Sequence, residues 1–232
     1  GLMGSARRWR TMPWLVVLFG IMIVPLGVVS MTFIIIQPIV IGTWCTLCLI
    51  GAAAMLVQIP YSLDELVATG QFLLRRKRAG RPLLHVFLVG DTDDGAYRRP
   101  PEEFSRPLGA ILKDITGGGV SLPWNLSACL LIGAWLMLTR LTLGAEGAMA
   151  NADHLIGSLV LTVTIAACAE VGRPLRFINM LFGMALLITP FIMVADGVQM
   201  VSSGACGLPL IALSVRRGPV RSSYGTWDRY IV

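Results

Sequence analysis

From Thr11 to Leu63 the chain contains no Asp, Glu, Lys or Arg. A soluble fold cannot hide an uncharged run of that length, whereas two bilayer crossings of about 20 residues each use it up. A second apolar span follows the first directly and no A-x-A-like site ends it, so the run is not a cleaved signal peptide. Composition agrees. The chain is 55% hydrophobic and 14% charged, where ordinary globular proteins carry roughly 25% charged residues.

Apolar windows place spans near residues 13–37, 45–62, 124–143, 153–171, 175–195 and 203–215. The fold class is therefore all-α integral membrane, with about six transmembrane helices arranged as an N-terminal helical hairpin plus a four-helix repeat bundle. The basic residues sort with these spans. Arg7, Arg8 and Arg10 precede the first, and Arg75, Arg76, Lys77, Arg78, Arg81, Arg98, Arg99, Arg106 and Lys113 separate the second from the third. Arg173 and Arg176 lie between the fourth and fifth, and Arg216, Arg217, Arg221 and Arg229 follow the sixth. All these lie on one side of the membrane. The exception, Arg140, falls in the last turn of its span and can snorkel outward. The opposite turns, 38–44, 144–152 and 196–202, have no Lys or Arg but hold Glu146 and Asp196.

The basic side is expected to be cytoplasmic, which leaves both termini inside. The net charge of +6 is thus a topology signal, with anionic lipid a possible contact at Arg75–Arg78. No nucleic-acid fold pattern accompanies the charge, so no nucleic acid is expected as a partner.

Three regions follow. Residues 1–62 form the hairpin, closed at Pro38-Ile-Val-Ile-Gly42 by Pro and Gly. Residues 63–122 form a cytoplasmic linker with interfacial helices. There Ser62-Leu-Asp-Glu65 has the form of a capping box opening a helix that runs on the membrane surface to Arg75–Arg78 and stops at Gly80. Asp91 to Arg106 reads as flexible linker, and Phe104 to Ile115 as a second interfacial helix. Residues 123–232 hold the four-helix block, whose spans repeat weakly at a period of 50. Leu131-Ile-Gly133-Ala-Trp-Leu136-Met-Leu-Thr139 aligns with Leu181-Phe-Gly183-Met-Ala-Leu186-Leu-Ile-Thr189, and Gly157 with Gly207. Glycines on these faces let helices approach closely in lipid.

Chemistry concentrates in the cysteines. Cys129, Cys168 and Cys206 are isolated within spans and read as small apolar residues, Cys206 alone lying near enough to the outer face to exchange with another thiol. Cys45-Thr-Leu-Cys48 is a CxxC. Structural zinc would need two more ligands, and neither His85 nor His154 has a matching neighbour. A c-type heme site needs His directly after the second Cys, where this chain has Leu49. A dithiol redox pair or two inert packing residues remain. Position favours redox, since the pair opens a helix, where unpaired N–H groups and the helix dipole stabilise a thiolate, in a compartment that permits disulfides.

Other polar groups carry less. Asp153 before a span starting at His154 reads as an N-cap beside an interfacial histidine. Glu170 and Asp64 sit at membrane ends, not mid-span. No phosphate-binding loop, nucleophile elbow or metal helix is present, and no metal is expected.

Ile41-Gly-Thr-Trp-Cys45-Thr-Leu-Cys48, following one long span and opening another, resembles the last two helices of the vitamin K epoxide reductase family in its bacterial branch. The resemblance covers roughly residues 10–65. It implies a quinone-linked membrane thiol-disulfide oxidoreductase that promotes disulfide formation outside the cytoplasm, in a bacterial inner (cell) membrane. Its cofactor would be ubiquinone or menaquinone, not covalently bound. The resemblance makes Cys45 the sulfur that exchanges with a second cysteine pair and Cys48 the one that faces the quinone. Trp44 would wall the quinone pocket or serve in the aromatic belt, and a periplasmic thioredoxin-like protein and membrane lipid are the implied partners. The family's loop cysteine pair belongs ahead of these helices, so the chain is expected to be the C-terminal, incomplete piece of a longer protein. The family's aromatic residue one turn beyond the second cysteine is Ala52 here. The second block resembles the SPW-repeat membrane domain, through Arg173-Pro-Leu-Arg176-Phe-Ile-Asn179, Leu186-Leu-Ile-Thr-Pro190-Phe and Tyr224-Gly-Thr-Trp-Asp-Arg-Tyr230. The alternative functional reading is a non-enzymatic membrane interaction module built on that bundle, with a small-solute transporter as a third.

Overall fold

The computed structural model describes residues 8–91, 119–193 and 195–220. Among these the chain is helical, with one isolated antiparallel bridge between Val120 and Ala169. A short helix α1 (Arg8–Thr11) leads into α2 (Pro13–Ile36), which widens into a π-helical turn at Gln37–Ile41. Then come α3 (Thr46–Arg78), α4 (Leu83–Val89), α5 (Trp124–Thr142) and α6 (Gly147–Cys168). A 3-10 segment (Glu170–Phe177) passes the chain to α7 (Ile178–Ile192) and α8 (Gly197–Val215). Six of these segments are long and apolar enough to cross a membrane. Their outer surfaces show large apolar side chains such as Phe19, Ile21, Leu131, Phe191 and Val201, as helices facing lipid must.

Three boundaries differ from those expected. There is no helix start at Ser62: α3 runs unbroken for 33 residues, about 50 Å at 1.5 Å per residue. That exceeds a hydrocarbon core of about 30 Å, so its basic C-terminal end projects beyond it. The segment expected to lie on the interface is instead the continuation of a spanning helix. Glu65 and its neighbours are helix interior, with Thr69 Oγ1 donating to the Glu65 carbonyl. The end agrees with expectation: four basic residues occupy the last turn of α3, and Gly80 adopts a left-handed φ of 77° just beyond. α4 was not foreseen. It folds back against α2 and α3, fixed by an Asp91 ion pair with Arg76 at 3.2 Å and an Asp91 N–H bond to the Arg10 carbonyl.

The other two shifts are at the N-terminal ends of α6 and α8, which begin at residues 147 and 197 rather than 153 and 203. Asp196 caps α8 in a capping box with Gln199. Glu146, not Asp153, is the N-cap position of α6. Asp153 and His154 therefore lie inside a helix and are buried, each 1% exposed. Hydropathy underestimates these helices because their first two turns carry buried polar side chains, Asp153 and His154 in α6 and Gln199 and Ser203 in α8. The expected linker beyond Asp91, the helix over Phe104 to Ile115 and the Tyr224 to Tyr230 segment lie outside the described residues.

The repeat has a structural counterpart. α5 crosses α6 where Gly133 meets Gly157, and α7 crosses α8 where Gly183 meets Gly207, at the same offset of 50 residues. At each crossing the glycine of one helix faces the backbone carbonyl of the other: a Cβ added at Gly157 would lie 2.7 Å from the Gly133 oxygen, and one at Gly207 2.9 Å from the Gly183 oxygen. Leu136, Leu186 and Leu210 fill the space between the two hairpins with Cys129 and Cys206. Cys206 is thus a core residue, not one open to exchange with another thiol.

The hairpin α2–α3 packs on this block through Met31, Ile34, Ala52 and Leu56 against Met137 and Ile165. At the basic end, the arginines of the α6–α7 connection are tucked in instead of standing in water. Arg173 donates to Ser121 Oγ, while Arg176 donates to the Arg173 carbonyl and lies over the Phe177 ring at 4.2 Å.

The glycine crossings make a measurable expectation. Gly157→Ala forces backbone apart and should cost about 1–3 kcal/mol, the usual penalty of overpacking. Gly204→Ala, where a Cβ meets nothing within 4 Å, should be neutral or stabilising through helix propensity. Thermal unfolding of the two variants in detergent checks this, and equal midpoints would contradict the crossing geometry.

Candidate functional site

The turn between α2 and α3 is built to present one helix N-terminus. Gly42 reverses the chain at φ 74°, a left-handed value that side chains with a Cβ disfavour. Cys45 then takes extended backbone angles and serves as the N-cap of α3. A polar side chain is usual there because it satisfies an orphan N–H of the first turn, and here the sulfur does so: Cys45 Sγ accepts the Cys48 N–H at 3.4 Å. Both cysteines are free thiols exposed on the surface of the chain.

The site holds one residue that sequence reasoning missed. Gln37 is buried (4% exposed) where α2 ends, and its Oε1 accepts the Cys45 N–H at 3.0 Å. The signal was a lone amide in an otherwise apolar span, where lipid offers it no partner. Ala52, one turn beyond Cys48, is buried against α2 in the hairpin core.

The electrostatics single out Cys45. The Cys48 thiol and then the Cys48 N–H donate hydrogen bonds to its sulfur, and these hold its pKa below the ordinary thiol value, because each bond favours the charged form. The thiolate is the reactive species of a cysteine, and of the two thiols Cys45 is the one held closer to that form.

Trp44 is half-buried, and its ring meets the His154 ring edge-on, with centroids 5.2 Å apart. The structure thus joins the three residues expected at the site, Trp44, Cys45 and Cys48, to a histidine of the second block. Cys129, Cys168 and Cys206 are buried elsewhere, in the four-helix block. Leu47, Ile50, Val40 and Ile41 are exposed around the dithiol. An apolar groove of about 410 Å³ runs along α2, α3 and α6, from Ile35 and Thr32 through Gly27 and Ile59 to Leu66.

The Cys45 thiolate makes a pH expectation. Alkylation by a charged maleimide follows the thiolate fraction, which rises with pH through the pKa, so a lowered pKa places the half-maximal rate below the ordinary thiol value. In Cys48→Ala the thiol donor is lost and the backbone donor kept, so the midpoint should move upward, and less so in Cys48→Ser. Rate-against-pH curves of the reduced protein test this, and superimposable curves would remove the thiol hydrogen bond from the account.

No curated protein and no solved structure matches the chain. Residues 1–63, which carry α2, the turn and the dithiol, match the model of the vitamin K epoxide reductase family.

Proposed function

We propose that the chain carries the dithiol centre of a quinone-linked membrane thiol oxidoreductase. The observation that supports this most is the N-cap position of Cys45, with its sulfur receiving the Cys48 N–H and both thiols exposed. The family match over the same residues points the same way.

On this reading the Cys45–Cys48 disulfide is the oxidising form. A thiolate of the partner protein attacks Cys45 Sγ, the Cys45–Cys48 bond breaks, and Cys48 leaves with the electron pair. The partner's second thiolate then attacks its own mixed-disulfide sulfur and releases Cys45. The partner gains a disulfide and this chain is left reduced. Cys45, being exposed and at the helix rim, is the exchanging sulfur. Cys48 lies one turn deeper, beside Gln37 and the exposed apolar side chains Leu47 and Ile50.

The residues fit a quinone. The apolar groove along α2, α3 and α6 suits an isoprenoid tail, and the exposed apolar side chains Val40, Ile41, Leu47 and Ile50 around the thiols suit a quinone ring. Cys48 and Trp44 would border that ring, ubiquinone or menaquinone. When bound, the quinone supplies an acceptor for two electrons and two protons. The remaining parts of the reading are a bacterial cell membrane, both termini cytoplasmic and the dithiol outside, and a thioredoxin-like protein as the thiol donor. The four-helix block is read as SPW-repeat-like on its paired 50-residue hairpins.

Thiol trapping in intact cells tests the proposal. A membrane-impermeant maleimide is added with and without prior reduction, in quinone-replete and quinone-depleted cells. The pair should be oxidised with quinone and label from outside without it, and Cys45→Ser in the full-length protein should abolish quinone-dependent disulfide formation. A pair that stays reduced in both conditions, or unchanged turnover of the Cys45→Ser protein, would overturn the proposal.

A further inference from the structure

Beside the dithiol, the second block contributes one side chain whose placement packing alone does not explain. His154 is 1% exposed within α6. Its Nε2 lies 3.0 Å from the Ile34 carbonyl in the last turn of α2. A carbonyl only accepts, so Nε2 carries the hydrogen and donates it. Nδ1 is buried near the Met137 backbone without a hydrogen bond of normal geometry. Burying a polar atom in that condition costs stability, so an imidazole is a poor choice merely to fill the space.

What the ring touches supplies the reason. The Ile34 carbonyl is one turn before Gln37, whose Oε1 holds the Cys45 N–H. On the other side the ring meets Trp44, the residue directly before Cys45. One imidazole therefore grips both ends of the segment 34–44, from a helix more than a hundred positions further along the chain. Within that segment Ile34, Gln37 and Pro38 are buried, while Val40 and Ile41 are exposed and Gly42 has open space where a Cβ would be.

We propose that His154 is a positioning residue of the Cys45–Cys48 centre, holding the turn so that Cys45 stays at the N-cap of α3 with its sulfur on the Cys48 N–H. The inference rests on the dithiol being the reactive centre, but it concerns the placement of the sulfur and not the identity of the electron acceptor. Through this contact the four-helix block is part of the redox site. Asp153 precedes the histidine inside the same helix, and Arg140, hydrogen-bonded to Asn151 in the last turn of α5, acts on it by charge.

Two substitutions separate the contacts. His154→Gln keeps an N–H donor for the Ile34 carbonyl, and His154→Phe keeps a ring for Trp44 and loses the donor. Two readouts are taken on the full chain in membranes: the rate of Cys45 alkylation by a charged maleimide at neutral pH, and the equilibrium of the Cys45–Cys48 pair with glutathione. Neither needs quinone, so a pair that fails to cycle with quinone would sink the proposed function and leave this test intact. In His154→Phe, alkylation should slow about 3–10-fold and the glutathione equilibrium shift by a similar factor, while His154→Gln should stay within about twofold of the parent. Should His154→Phe not fold, His154→Leu removes the same donor with a smaller side chain and should slow alkylation in the same direction. Unchanged rates and equilibria in the folded variants would overturn the proposal, as would a His154→Gln protein as slow as His154→Phe.

Discussion

Lipid offers no partner to a backbone N–H or carbonyl, and every feature of this chain answers to that constraint. It makes the spanning segments helical whatever their sequence, and it leaves polar chemistry only at helix ends. The two poles of the molecule show the consequence. At the basic pole the last carbonyls of α8 are taken by Asn125, which donates to Leu213 and Arg216, and the 119–121 strand-like stretch satisfies the chain around Cys168 to Glu170. At the opposite pole the first turn of α3 is satisfied by a sulfur. Cys45 as an N-cap is thus structural and chemical at once, because the N–H that needs an acceptor is the one that stabilises the thiolate.

Close packing in lipid gains little from the hydrophobic effect, so helices hold together through van der Waals contact and short polar links. Glycine against backbone at two equivalent crossings gives the second block its rigidity, and Asn179 donating to Thr164 Oγ1 adds a buried polar tie between α7 and α6. The hairpin has fewer such ties. It leans on the block through Met31, Ile34, Ala52 and Leu56, with Thr162 Oγ1 on the Met31 sulfur. Near the dithiol the hairpin meets the block at His154, which touches Trp44 and the Ile34 carbonyl.

Much of this was legible in the sequence. Six spans, their alternating ends and the glycine pairs followed from hydropathy, charge and a period of 50, since those signals are carried by residues that face lipid or a neighbouring helix directly. Ser62-Leu-Asp-Glu65 misled because a capping box is a local pattern, and the same residues serve equally well inside a helix that continues from the membrane. The outer turns of α6 and α8 misled for the opposite reason. Asn151, Asp153, His154, Gln199 and Ser203 lower the apparent hydropathy although all but Asn151 are buried. At the site, the CxxC and its helix-opening position were readable from spacing. Gln37 was only a lone amide, and the His154 contact could not be read at all, because nothing in either local sequence records which side chains meet across two separately folded hairpins.

That last contact bears on how a dithiol can work at a bilayer edge. A CxxC on a free turn would sample many geometries, and its sulfur would meet the Cys48 N–H only part of the time. The exposed Val40 and Ile41 ahead of Gly42 give the turn little reason to settle by itself. Tying its two ends to one buried ring reduces that freedom without covering either thiol, so the sulfurs remain open to a partner while their hydrogen bonds persist. The four-helix block is then a fitting neighbour for the hairpin, since its His154 ring holds the turn from the side away from the thiols.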